Sequence, residues 1–152
     1  MNALIPALLA GNSVILKPSP QTPLVGERLL EIFSEAGLDK DVLTIVQSGD
    51  PAIVEDLVAL PEIALVSFTG STAGGLAIRE ATAKRCIPVN LELGGNDPAY
   101  VRPDVDLKYV AAQLVDGAVF NAGQSCCAVE RIYVHADVHD AFIKELQDEL
   151  KT

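Results

Sequence analysis

The chain has 152 residues, enough for one domain or pieces of two. Its 21 acidic and 11 basic side chains leave a net charge of −10, which argues against phosphate-backbone binding and so against a nucleic-acid partner. Three cysteines, an odd number with two adjacent at Cys126 and Cys127, form no disulfide framework and point to a reducing, intracellular compartment such as the cytoplasm. Hydrophobic residues make up 49% of the chain, so some apolar surface is expected to belong against protein outside these 152 residues.

The first segment, residues 3–10, is apolar and stops at Gly11. It lacks a basic flank, is interrupted by Pro6 and is too short to cross a bilayer; it reads as a buried helix rather than a signal peptide or membrane span. Residues 13–16 form a short apolar strand. Thr22 is placed to cap a helix with Pro23 at its first position, and Val25, Leu29, Ile32, Phe33 and Ala36 recur at helical spacing until Gly37. Residues 43–46 read as a second strand. Asp50-Pro51 repeats the cap-then-proline signal and opens a helix to about Leu60.

A third strand is expected over residues 64–68, then a turn at Thr69-Gly70-Ser71 and a helix from Thr72 to about Lys84. Residues 88–91 form a fourth strand, and Gly94-Gly95 is the expected hinge between two structural units. Beyond it, residues 99–101 suit a strand, and Asp106 is placed to cap a helix from Leu107 to about Phe120. Residues 130–134 read as a strand, and Asp137 as the cap of a helix whose Phe142, Ile143, Leu146 and Leu150 share one face. Strands alternating with helices predict an α/β fold, a Rossmann-like parallel sheet flanked by helices.

Four segments carry residue types suited to chemistry. In Phe120-Asn121-Ala122-Gly123-Gln124-Ser125-Cys126-Cys127, a helix breaks at Gly123 and presents cysteines in a turn. An exposed thiol there is a nucleophile when it ionises, although free cysteine is also a common core residue. Two adjacent cysteines without a nearby Cys or His pair do not make a tetrahedral metal site. In Val89-Asn90-Leu91-Glu92-Leu93-Gly94-Gly95, a carboxylate ends an apolar strand before two glycines. Half-desolvated, it would serve as a general base; otherwise it is a solvated strand end.

The turn Phe68-Thr69-Gly70-Ser71-Thr72 leads a strand into a helix, whose N-terminal N–H groups suit a pyrophosphate or serve only as a capped turn. Lys17, in Leu16-Lys17-Pro18-Ser19-Pro20, leaves a strand end where α/β sheets bind ligands, and is otherwise an ordinary surface lysine.

In their order along the chain these segments resemble the aldehyde dehydrogenase superfamily: Gly11-Asn12-Ser13-Val14-Ile15-Leu16-Lys17-Pro18-Ser19, Phe68-Thr69-Gly70-Ser71-Thr72, Glu92-Leu93-Gly94-Gly95, and Phe120 through Cys126. The resemblance implies Cys126 as nucleophile and Glu92 as general base. It further implies Gly70 and Ser71 at the cofactor pyrophosphate, Lys17 at the adenosine ribose with Ser19 beside it, and Phe68 and Gly94 near the cofactor. The implied reaction oxidises a small-molecule aldehyde to a carboxylic acid through a cysteine thiohemiacetal and thioester. Hydride passes to NAD or NADP, and Glu92 favours hydrolysis over acyl transfer to coenzyme A.

Pro20 stands where many NAD-preferring members carry a ribose-binding glutamate, so NADP fits as well as NAD. The resemblance further implies that residues 1–94 are part of the NAD(P)-binding domain and 95–152 the start of the catalytic domain. The family's oxyanion asparagine and much of its pocket lie outside that span, so the chain is expected to be a fragment, inactive or nearly so alone, of a homo-oligomeric enzyme. Two other readings stay open: a cofactor-binding or structural remnant without turnover, and a thiol-dependent esterase or acyltransferase using Cys126 without a nicotinamide.

Overall fold

The structure, a computed structural model, describes residues 1–151. The architecture is α/β, with a helix between successive strands except between β4 and β5. The elements are α1 (Leu4–Leu9), β1 (Val14–Leu16), α2 (Pro23–Glu35), β2 (Leu43–Ile45), α3 (Pro51–Ala59), β3 (Val66–Thr69) and α4 (Thr72–Ala81). They continue with β4 (Val89–Glu92), β5 (Asp97–Val101), α5 (Leu107–Val119), β6 (Val129–Val134) and α6 (His139–Glu149). Strands pair as β1 with β2, β3 with β4 and β5 with β6. The chain folds into two compact units. One holds Met1–Phe68 with Leu76–Asn90; the other holds Thr69–Gly75 and everything from Leu91 onward.

In the first unit, β1 and β2 run parallel with Val14, Ile15 and Leu16 opposite Leu43, Thr44 and Ile45, and α2 returns the chain between them. Gly26 is buried within α2 because a Cβ there would press on the Pro18 ring and Ile45, so the helix lies close over β2. Pro23 starts α2 as expected, but the Thr22 side chain makes no capping hydrogen bond. Asp50 does cap α3, its carboxylate accepting the Ala52 N–H at 3.0 Å.

The expectation that residues 3–10 form a buried helix holds only in part. The helix is present, but Leu4 alone is buried and Leu9 is 83% exposed. Helix α4 stops three residues short of Lys84, where the Thr82 hydroxyl turns back to the Ile78 carbonyl at 2.8 Å. Arg85 then donates to the carbonyls of Val58, Pro61 and Ile63 at 3.0, 3.0 and 2.6 Å, tying the end of α3 to the chain leading into β4.

In the second unit, β5 and β6 run parallel and carry the core. Val101, Ala111 and Phe142 are each 1% exposed, with Val105, Leu107, Val110, Leu114, Ile132, Val134 and Leu146 packed around them. Asp106 caps α5 by accepting the Tyr109 N–H at 3.2 Å. Asp137 does not cap α6. It lies in a short 3-10 turn over Ala136–Val138, where its N–H is donated to the His135 Nδ1, and α6 begins two residues later. The expected apolar face of α6 reduces to Phe142 and Leu146, because Ile143 and Leu150 stand exposed.

Candidate functional site

The second unit contains an open cleft of ≈ 510 Å³, lined by Thr69, Gly70, Glu92, Leu93, Gly94, Gly95, Gly123, Gln124, Ser125, Cys126 and Glu130. Four of the residues singled out in the sequence therefore share one cavity: Cys126, Glu92, Gly70 and Gly94. Ser71 does not line it, and Phe68, Lys17 and Ser19 belong to the first unit.

Cys126 reaches the cleft through an unusual turn. Helix α5 ends at Val119, and Asn121, Ala122 and Gly123 then adopt φ of 51°, 58° and 73°, three left-handed residues in succession. Asparagine and glycine tolerate this region; alanine pays for a Cβ close to its own carbonyl. The turn is held by the Asn121 side-chain amide donating to the Gln124 carbonyl at 3.0 Å, and by the Gln124 N–H donating to the Asn121 carbonyl at 3.1 Å. Cys126 and Cys127 follow it, exposed ahead of β6. Replacing Ala122 by glycine is expected to raise stability by about 1 kcal/mol, shifting Tm by about 2–4 °C in thermal unfolding. A fall in Tm would show that no strain resides at Ala122.

Cys126 and Cys127 are adjacent but not equivalent. Cys127 does not line the cleft, and its Sγ lies 3.3 Å from the Ser125 hydroxyl. Cys126 is instead fixed by its backbone. Gly95 sits so close to the Cys126 carbonyl that a Cβ at position 95 would overlap the oxygen. Nothing lies within 4 Å of a Cβ built on Gly94, which opens onto free space. The two glycines thus have separate reasons, close backbone approach at 95 and room at 94.

Glu92 is the last residue of β4, one place further along the strand than expected. Its carbonyl accepts the Gly70 N–H at 3.0 Å, joining β4 to the turn before α4. Its side chain is exposed, so the half-desolvated environment expected of it is not formed by these residues. That hydrogen bond also occupies the Gly70 N–H, which is therefore not free for an anion. Ser71 acts as the cap of α4, its hydroxyl accepting the Gly74 N–H at 3.1 Å. The N–H groups of the first turn, at Thr72 and Ala73, have no carbonyl within the helix to pair with.

In the first unit, the Lys17 ammonium donates to the Pro18 carbonyl at 2.9 Å. The Ser19 hydroxyl accepts the Gln21 N–H at 3.3 Å, and Phe68 is half-buried in β3. Among the described residues, no group of three or more His, Cys, Asp and Glu is placed to hold a metal ion, and no helix is long and apolar enough to cross a membrane.

Sequence reasoning overlooked Glu130 and Gln124 as members of the cleft. Pro98 carried a signal for Glu130: a proline in a paired strand lacks a donor and marks an edge or a bulge. The register slips there, from Asp97 opposite Val129 to Pro98 opposite Arg131.

Known proteins share the sequence and fold of this chain. The family model described as "Aldehyde dehydrogenase family" matches residues 1–152. The D-glyceraldehyde dehydrogenase (NADP(+)) of Picrophilus torridus is 42% identical over 93% of this chain and 29% of its own. A solved structure of lactaldehyde dehydrogenase superposes with a TM-score of 0.92 at 37% identity, over 99% of this chain and 31% of that one. The NADP-dependent glyceraldehyde-3-phosphate dehydrogenase of Bacillus halodurans, complexed with NADP, superposes at 0.87 with 39% identity over 96% and 30%. The chain thus spans about a third of the length of these relatives and belongs to the aldehyde dehydrogenase family.

Proposed function

We propose that this chain is a portion of an NAD(P)-dependent aldehyde dehydrogenase that converts an aldehyde to a carboxylic acid, with Cys126 as nucleophile and Glu92 as general base. The observation that carries the reading is their place on one cleft. The Cys126 thiolate attacks the carbonyl carbon and forms a C–S bond, giving a thiohemiacetal. A bound nicotinamide would supply the hydride acceptor for that carbon, and Cys126 would then hold the acyl group as a thioester. Glu92 then takes a proton from a water that attacks the thioester carbon; the acid leaves and the thiolate is restored. An exposed Glu92 is reachable by that water.

For the cofactor, the Thr72 and Ala73 N–H groups at the positive end of α4 suit a pyrophosphate, and the open space at Gly94 suits a close approach. Gly70 and Ser71 shape that turn; on the family resemblance alone, Lys17 and Ser19 are ribose contacts and Phe68 a residue near the cofactor. Pro20 leaves the 2′-position without a repelling carboxylate, and two relatives are named for NADP, so both NAD and NADP fit.

Residues 1–94 belong, on this reading, to the cofactor domain and 95–152 to the start of the catalytic domain, a division by role rather than by packing. Leu9, Leu24 and Phe120, exposed by 83%, 71% and 64%, are surfaces for the rest of a longer, homo-oligomeric enzyme. Three free, exposed cysteines suit a reducing cytoplasm. Relatives named for glyceraldehyde and for its phosphate leave the charge of the aldehyde open.

The test is labelling of the chain with a thiol-reactive probe, with and without NAD and NADP, mapped by mass spectrometry. Preferential modification of Cys126 over Cys86 and Cys127, altered by one cofactor, is expected. Cofactor-independent labelling with ester hydrolysis would instead support the thiol esterase, and cofactor binding without turnover in the complete protein would support a binding remnant. Equal labelling of all three cysteines would mean that no site is organised in these residues.

A further inference from the structure

We propose that Glu130 makes the cleft select against anionic aldehydes, so that the substrate carries a neutral or cationic group beside its carbonyl. This rests on the reading of Cys126 as nucleophile. In the β5–β6 ladder Asp97 faces Val129 and Pro98 faces Arg131, which leaves Glu130 with no partner. It is the extra residue of a β-bulge, placed where the Pro98 nitrogen has no proton to donate. The bulge also breaks the strand's in-out alternation, since Glu130 and Arg131 are both exposed.

A bulge re-aims a side chain, and Glu130 lines the same cleft as Cys126 and Glu92. Hydrolysis needs one carboxylate, so the second is spare. Among the described residues, no Lys, Arg or His lines the cleft to balance the pair. Arg131, the nearest cation along the strand, donates instead to the Asn96 carbonyl at 2.9 Å. An aldehyde bearing a phosphate or carboxylate would bring a third negative charge into this space. At separations of several ångströms in partly hydrated surroundings, one such repulsion is worth a factor of about 3–10.

The experiment compares alkylation of Cys126 by iodoacetamide and by iodoacetate, reagents of similar size that differ by one negative charge, in the 152-residue chain. Peptide mass spectrometry reads each cysteine separately, and the same chain in urea supplies the reference ratio. Both reagents attack the thiolate, so any change in thiol ionisation cancels in the ratio.

The neutral-over-anionic ratio at Cys126 is expected to exceed its urea value. Glu130→Gln should lower it about threefold, and Glu130→Lys should lower it further. Glu145→Gln, on α6, removes the same charge from a helix that contributes nothing to the cleft and should leave the ratio unchanged. A native ratio equal to that in urea, no response to Glu130→Gln, or an equal response to Glu145→Gln would overturn the proposal. The nucleophile reading fails by a different sign, namely Cys126 reacting no faster than Cys86 and Cys127, and the charge ratio at Cys126 stays readable in that event.

Discussion

Replacing Cys126 by serine in the complete enzyme is expected to reduce aldehyde-dependent cofactor reduction by about a thousandfold or more, while Cys127→Ser keeps most of it. A serine hydroxyl has almost the shape of the thiol but is not ionised near neutral pH, so the covalent step is lost without disturbing the turn. The contrast between neighbours follows from the structure: Cys126 lines the cleft with Glu92, whereas Cys127 lies outside it beside the Ser125 hydroxyl. On the proposed mechanism, Glu92→Gln separates the two halves of the reaction. It is expected to retain a single rapid turnover of hydride and then stall at the thioester, lowering steady-state turnover by about 10²–10⁴-fold. Rapid-mixing measurement of the reduced cofactor checks both variants. A Cys127 variant as inactive as the Cys126 variant, or a Glu92→Gln enzyme without a burst, would contradict these roles.

Much of the fold was legible because local chemistry and tertiary structure agree. Asp50 and Asp106 sit before a proline or an apolar run, and both carboxylates accept the N–H groups expected of a cap. The helix ending at Gly37 and the strands over Val14–Leu16 and Leu43–Ile45 follow from spacing alone. The failures share a cause, competition from another donor or acceptor. Asp137 looked like a cap, but the His135 ring takes its N–H and a 3-10 turn comes first. Lys84 looked helical until Thr82 and Arg85 engaged carbonyls, the latter from a segment more than twenty residues away. Ile143 shared a plausible stripe with Phe142, yet the core closes on Val101 and Ala111 and leaves it outside.

The candidate site was legible in kind and not in arrangement. Residue types and their order singled out Cys126, Glu92, Gly70 and Gly94, which do line one cleft. The left-handed turn at Asn121-Ala122-Gly123 was invisible because alanine carries no preference for it. The bulge at Glu130 depends on register, which no single strand reveals.

Gly95→Ala is expected to damage the site more than any other substitution away from Cys126 and Glu92. A methyl group at 95 meets the Cys126 carbonyl oxygen, a backbone atom that no side-chain rotation can move aside. The Arg131 guanidinium fixes one flank of this contact by holding the Asn96 carbonyl, and the Asp97 N–H fixes it further by donating to the Ala128 carbonyl at 3.3 Å. The cysteine turn must therefore yield, by roughly 1 Å, a displacement that costs about 10²-fold in a reaction that depends on nucleophile placement. Overpacking of this kind also lowers stability by about 1–3 kcal/mol. Gly94→Ala is the internal comparison. Its Cβ would enter open space, so stability should stay within about 0.5 kcal/mol of the parent, and any loss should appear as weaker cofactor binding. Thermal unfolding and the Cys126 labelling rate separate the two variants. Equal Tm values and equal labelling would mean that the approach of Gly95 to Cys126 does not position the thiol, and that the turn from Asn121 to Gly123 holds it alone.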